Sequence, residues 1–546
     1  MIKEAQTAAP AAQGKAFNFY LGKGKKMKTK NKGRVLIAAL LFLIVFSLPT
    51  QPLATDYNWV GTSGNWSDPA NWSPSGPPIH NSDNVYLTQS GASDINISYD
   101  ASTMINSLQI FGGGQGSVIF SISGNDSLAV YQGSIMVGES GKGIINQTGG
   151  RFDANTDETP IVIGNGGIYN MSGGLIGMNI DVHVNSGGIF NQTGGFNGYD
   201  GVLKVNTGGT YNLSGNGSVG PATGQGEWIT GTFNQYGGYN TAGSAFFWLD
   251  GGTYNLIDGN LTLDAWSNTI KNGGTFNQSG GTSTITLTAI DPFKIGNTVG
   301  DGSTYNLSGG NLNANNIINN GTLNFSGGNV SLLHQTTTWD PINQSYIWEK
   351  GTLTNNGSTS LSGAGTRTID GNIVNNGTFK VTNTTAVYTG SFLNNGTYLS
   401  DPATSKFLGS LTVGSDGIII AGAGDIFEFY KDFINNSSRN TEWQTSLADL
   451  FFSTGSHTFF IGQTGNNLYW DDLTLDLGAI LDLEGGGELH INNLHVYDLA
   501  QLTGLGLISY DHLDIIGSTS VPEPTTMLLL GLGLIGLAGI RRKFRN

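Results

Sequence analysis

The chain has 546 residues, of which 84 are Gly, 14 are Pro, 12% are charged and none is Cys. Gly stands at about twice and charge at about half the usual share, and the lack of Cys excludes a disulfide scaffold, thiolate metal sites and a thiol nucleophile. No Gly-X-Y period points to collagen, and a 38% hydrophobic share is too rich for a disordered tail, which leaves a large Gly- and Asn-rich all-β chain.

The net charge of −15 hides an asymmetry, because thirteen of the 24 basic residues and only one of the 39 acids lie in residues 1–54 and 525–546. Residues 55–524 keep 11 bases against 38 acids, a net −27. Such a surface repels nucleic-acid phosphates, so no nucleic-acid partner is expected, and it suits a hydrated, exported protein.

In chain order, residues 1–54 predict a secretory signal handled by the Sec machinery. The basic stretch Lys23–Arg34 leads into an apolar run, Val35–Leu48, broken only by Ser47, and then into Pro49 and small or polar residues. That is the order of a signal peptide, and the run is shorter than the ~20 residues of a membrane helix. Cleavage is expected at Ala54, with Met27 an alternative start. Residues 55–110, which carry Trp59, Trp66 and Trp72, are expected to cap the body.

Residues 111–420 are expected to be a repeat. The phrase Gly-x-aromatic-Asn-x-Ser/Thr-Gly-Gly returns at Asn146, Asn170, Asn191, Asn212, Asn234, Asn255, Asn277 and Asn306, spaced 24, 21, 21, 22, 21, 22 and 29 residues apart, and Asn324 extends it by 18. Asn-Gln follows Ile or Phe, whereas Asn-Leu or Asn-Met follows Tyr, in strict alternation, so the duplicated unit is two periods. About 21–22 residues is too short for a propeller blade and lacks the leucine-rich pattern, but it suits one turn of a parallel β-helix. Before each motif the alternation of Ile161/Ile163, Val182/Val184, Leu203/Val205 and Phe247/Leu249 predicts the core file, with Val162, His183, Lys204 and Trp248 outward. The Gly-Gly pairs predict positive-φ corners, and the Asn and Phe/Tyr columns predict ladders and ring stacks. From Asn355-Asn356-Gly357 through Asn375-Asn376-Gly377 to Asn394-Asn395-Gly396, slimmer turns closed by left-handed Asn-Gly corners are expected. The fold expected is a parallel β-solenoid of about fourteen turns at the ~4.8 Å strand spacing.

Residues 421–515 have fewer Gly-Gly pairs and more Leu, Phe and Asp, and are expected to form a C-terminal β-rich cap. Residues 516–546 then carry Val521-Pro522-Glu523-Pro524, the apolar run Met527–Ile540, and Arg541-Arg542-Lys543. The run spans a bilayer only marginally, and the basic cluster is expected to stay cytoplasmic. This order of Pro-Glu-Pro box, short helix and Arg cluster resembles the PEP-CTERM sorting signal. The resemblance implies recognition and tail removal by an exosortase, a membrane protease-transpeptidase of bacteria that make exopolysaccharide. The three-Trp phrase near residue 60 also resembles the opening of autotransporter-like and PEP-CTERM passenger proteins, and the stretch from Asp432 to Phe460 a segment found before the anchor in other PEP-CTERM proteins.

Enzymatic patterns are weak. Many parallel β-helices degrade polysaccharides, so a lyase or glycoside hydrolase is the rival expectation. Lyases need a base and commonly Arg, and the body holds only Arg151, Arg367 and Arg439, far apart in sequence. Glycosidases need two facing carboxylates. Asp471-Asp472 is an adjacent pair whose members on a strand would face opposite sides and be unable to act together, and a solvated turn pair is expected. His490 and His495 have poor metal-ligand spacing, Gly455-Ser456-His457 is expected to be a polar turn, and neither HExxH nor a Gly-x-Ser-x-Gly elbow occurs. The expectation is therefore no catalytic, cofactor or metal site. An exported structural or adhesive solenoid is expected, with exopolysaccharide as a candidate partner.

Overall fold

The computed structural model describes residues 54–516, apart from 155–158, 178–179, 222–224, 243–244, 265–266, 286–296, 334, 341–344 and 505–506. The expected secretory signal up to Leu53 and the sorting segment from residue 517, including the Met527–Ile540 run, lie outside the described residues. Among those described, no helix is long and apolar enough to cross a membrane.

Each period of sequence supplies three short alternating segments separated by Gly-rich corners, and each segment becomes a half-buried strand. One turn comprises Thr159–Ile163, Gly167–Met171 and Leu175–Ile176, and the next Ile180–Val184, Ile189–Gln192 and Phe196–Asn197. Equivalent strands pair in parallel, Ile161 with Val182, Tyr169 with Phe190 and Leu175 with Phe196. First strands stack into a 21-stranded sheet, while second and third strands share a 33-stranded sheet that bends at the corner between them. The fold is an all-β parallel solenoid of about 18 turns.

The core is a set of files along the solenoid. Ile161, Ile163, Val182, Val184, Leu203 and Val205 are fully buried on the first face. On the second face the rings of Tyr169, Phe190, Tyr211, Phe233, Tyr254, Phe276 and Tyr305 stack with centroids 4.6–5.0 Å apart and planes within 7°. That separation is close to the strand spacing, so each ring lies flat on the next, and each fully buried side chain contributes roughly 1.5–3 kcal/mol. The second Gly of the motif turns the corner at positive φ, as at Gly150 (67°) and Gly195 (72°).

Three regions differ from the sequence expectation. Stacking begins before residue 111: Asn84–Gln89 already pairs in parallel with both Asp56–Trp59 and Ser107–Gly112. Trp59, Trp66 and Trp72 plug the start of the core, with Trp66 and Trp59 edge-on to Trp72 at 4.7 and 5.1 Å. At the other end the strands of 421–515 continue both sheets, Phe433 pairing with Phe459 and Leu473 with Leu494. No separate cap is distinguished there among the described residues. Finally, the Asn-Asn-Gly turns are not left-handed, because Gly357, Gly377 and Gly396 are absent from the positive-φ glycines. Glycine is required there for closeness instead, since a Cβ on Gly377 would lie 2.1 Å from the Gly357 carbonyl oxygen in the turn below.

Candidate functional site

The recurring asparagines form one file. The Nδ2 of Asn170 donates to Oδ1 of Asn146 at 2.9 Å, and the pattern repeats through Asn191, Asn212, Asn234, Asn255, Asn277, Asn306 and Asn324 at 2.8–3.0 Å. The 29-residue gap before Asn306 leaves the ladder intact, since Asn306 still donates to Asn277 at 2.8 Å.

The two-turn alternation has a structural cause that sequence reading did not reach. Gln147, Gln192, Gln235 and Gln278 point into the core and are fully buried. The hydroxyl of the tyrosine one turn above donates to each Oε1: Tyr169 to Gln147 at 2.7 Å, Tyr211 to Gln192 at 2.5 Å, and Tyr254 and Tyr305 to Gln235 and Gln278 at 2.6 Å. The Nε2 donates to backbone carbonyls, as Gln192 does to Gly195 and Ser218. A buried amide needs all its partners, so a Gln turn needs a Tyr turn above it. Burial pushes the hydroxyls of these four tyrosines well above their ordinary range.

Glu227 interrupts the aliphatic file of the first face, in register between Leu203 and Phe247 and fully buried. The Asn240 amide and the Tyr199 hydroxyl donate to its carboxylate at 3.2 and 3.5 Å. Burial raises its pKa from the ordinary 4.5 to about 7, and those two hydrogen bonds pull the other way.

Outside, the first face carries the row His183, Lys204, Trp228 and Trp248 in register. Phe246 stacks on Trp248 at 4.2 Å, Lys271 Nζ lies 4.0 Å from the Trp248 ring centroid, and Trp228 stands edge-on to it at 5.9 Å with 37% of its surface exposed. Asp250 holds Lys271 in place at 3.6 Å.

The acid pair departs from expectation. The strand Asn467–Leu475 bends at its middle, its pairing with the next turn skips Asp471, and both Asp471 and Asp472 face outward. Their carboxylates approach Asp449 of the turn below, with one oxygen of each of the three within 4.8 Å of the others. Such a triad is of the kind a hard divalent cation accepts. Here the Asn492 and Asn493 amides donate to Asp471 and Asp472 at 2.8 and 2.6 Å. Burial, and then the charge of Asp472, raise the Asp449 pKa.

Other sequence candidates are dispersed. Ser456 and His457 lie on a strand, not a turn, and face opposite ways: Ser456 is exposed, while His457 is buried with Nε2 2.7 Å from the Ser453 carbonyl oxygen. His490 stacks on Tyr469, and His495 lies near Asp472 and Asp514, on the far side of a bend in their strand. Arg151 pairs with Asp153, Arg439 pairs with Glu442, and Arg367 donates to the carbonyls of Ser326, Ser362, Ala364 and Thr366.

Beyond the solenoid, residues 520–543 match the family model of the PEP-CTERM protein-sorting motif. The chain carries a PEP-CTERM sorting motif. No curated protein and no solved structure matches it. The match takes in Val521, Pro522, Glu523, Pro524, Arg541, Arg542 and Lys543, all outside the described residues. A PEP-CTERM motif indicates an exported protein, held at the membrane before an exosortase processes it.

Proposed function

We propose that this protein is a non-catalytic structural or adhesive element of the cell surface or exopolysaccharide matrix. The carrying observation is the PEP-CTERM motif on a β-solenoid. Two features support the reading. Outward Asn and Thr side chains repeat along the stack, and Trp228 and Trp248 stand on neighbouring turns of the first face, so weak hydrogen-bond and ring contacts to a polymer add into avidity. The acidic body is solvated and does not favour anionic membranes. The test is co-sedimentation of the exported protein with exopolysaccharide from its own host, together with turnover assays on acidic and neutral polysaccharides. Binding without turnover is expected; robust turnover overturns the reading.

One observation favours the rival, a polysaccharide-degrading enzyme. Asp449 and Asp472 line a groove of about 350 Å³ with Glu428, Tyr430 and Thr474. If turnover is found and Asp449→Asn abolishes it while the protein stays folded, that groove is the active site.

A further inference from the structure

We infer that a cleft formed by residues 440–446 and 467–469 binds a neutral pyranose ring. The cleft has a volume of about 200 Å³ and is lined by Asn440, Trp443, Thr445, Ser446, Asn467 and Tyr469.

At the edge of the cleft Asn440 is 7% exposed. Its Oδ1 accepts from Asn435 Nδ2 at 3.1 Å. Asn435 is itself fixed, since its Oδ1 accepts from the Ser437 amide at 2.9 Å and its Nδ2 also donates to the Ile461 carbonyl at 2.8 Å. The amide of Asn440 therefore has one orientation, with its Nδ2 turned away from Asn435. That Nδ2 has no hydrogen-bond partner. That atom is closed to solvent as the side chain stands, and a buried donor left unmade costs about 1–3 kcal/mol, so a shift of the Asn440 side chain toward the cleft it lines, where a ligand oxygen meets Nδ2, is favoured.

The walls are built for a ring. Tyr469 is 53% exposed and stacks one face on His490 at 4.6 Å and 11°; no other ring among the described residues covers its second face. Trp443 is anchored by its Nε1 on the Gly417 carbonyl at 3.3 Å. Thr445 Oγ1 donates to the Tyr469 carbonyl at 2.6 Å, tying the two sides together. A sugar ring offers C–H bonds to aromatic faces and hydroxyls to amides, which is what Tyr469, Trp443, Asn440 and Asn467 accept. None of the lining side chains is charged, and the nearby Arg439 and Glu442 neutralise each other. A uronate or phosphate has no counter-charge there, so the ring is a neutral one.

This site rests on the proposed matrix role and names the unit that role would recognise. The test uses full-length protein in a detergent without sugar headgroups, titrated with neutral oligosaccharides of glucose, mannose, galactose and N-acetylglucosamine and followed by tryptophan fluorescence and calorimetry. Saturable binding of at least one is expected, weakened about tenfold by Tyr469→Ala and kept within about twofold by Tyr469→Phe, which retains the ring. Circular dichroism of the exposed Tyr469→Ala variant checks that it folds. Absence of saturable binding, or binding that Tyr469→Ala leaves unchanged, overturns the site. If whole exopolysaccharide still co-sediments in that case, the matrix role stands and only the cleft is wrong; if it does not, both fail.

Discussion

Glu227 sets the pH response of the fold at the level of a single side chain. An unfolded chain releases this proton near the ordinary 4.5, whereas the buried carboxyl holds it to about 7. Between those values the folded state binds the extra proton, so stability falls as pH rises through the window and levels off above it. The shift corresponds to roughly 3 kcal/mol. Glu227→Gln is expected to flatten that slope and to raise stability at pH 8, measured by urea unfolding from pH 5 to pH 8; an unchanged slope assigns the pH response elsewhere. The Tyr–Gln pairs make a second residue-scale prediction. Tyr211→Phe leaves the Oε1 of Gln192 and the Nδ2 of Asn197 each short of a partner inside the core and should cost about 1–3 kcal/mol in urea unfolding; a loss under about 0.5 kcal/mol would contradict the pairing. The alternation of Tyr and Gln turns was visible as a pattern in the sequence. Its cause was not, because the hydrogen bond joins residues 19 to 27 apart and exists only once the register is known. Glu227 was hidden for the same reason: a lone acid between apolar neighbours looks like a surface residue until Leu203 and Phe247 are seen above and below it.

The turn is the element that repeats, and asparagine ladders hold its corners. In the slimmer turns, the first Asn of each Asn-Asn-Gly points in and the second out. Asn375 is fully buried, accepts from Asn355 and donates to Asn394 and to the Thr397 carbonyl at 2.7–3.0 Å. Asn376 donates to Asn356 at 2.9 Å on the exposed side. Thermal and urea unfolding should therefore separate two adjacent, chemically identical substitutions. Asn375→Ala is expected to cost about 2–3 kcal/mol and Asn376→Ala under about 0.5 kcal/mol; equal losses would contradict the inner and outer assignment. At this scale the period, the core files and the Asn column were legible, because alternation and spacing follow directly from strand geometry. The Asn-Gly corners were misread, since that dipeptide signals a left-handed turn only where two strands reverse, whereas here the chain passes close over the turn below. The Asp471-Asp472 pair was expected in a solvated turn and lies on a strand instead, both members outward because period-2 alternation fails where the strand bends around a corner.

For the whole molecule, a stack in which each turn touches only its neighbours derives stability from turn-to-turn interfaces, and its ends need protection. The three tryptophans near the first turn serve that purpose, and their clustering made them legible as an end feature. The extent of the stack was less so, because the Leu-, Phe- and Asp-rich segment after residue 421 abandons the Gly-Gly phrase yet keeps the parallel register. Sorting is carried by a different part of the chain, whose Pro-Glu-Pro box and Arg cluster were readable as a short linear signal that needs no fold. Together these parts make an exported β-solenoid that an exosortase processes at its PEP-CTERM motif. Mass spectrometry of the C-terminus in exported material from the native host tests it most directly. Exported chains are expected to lack everything after the Pro522-Glu523-Pro524 box; chains that still carry Arg541, Arg542 and Lys543 would rule exosortase processing out.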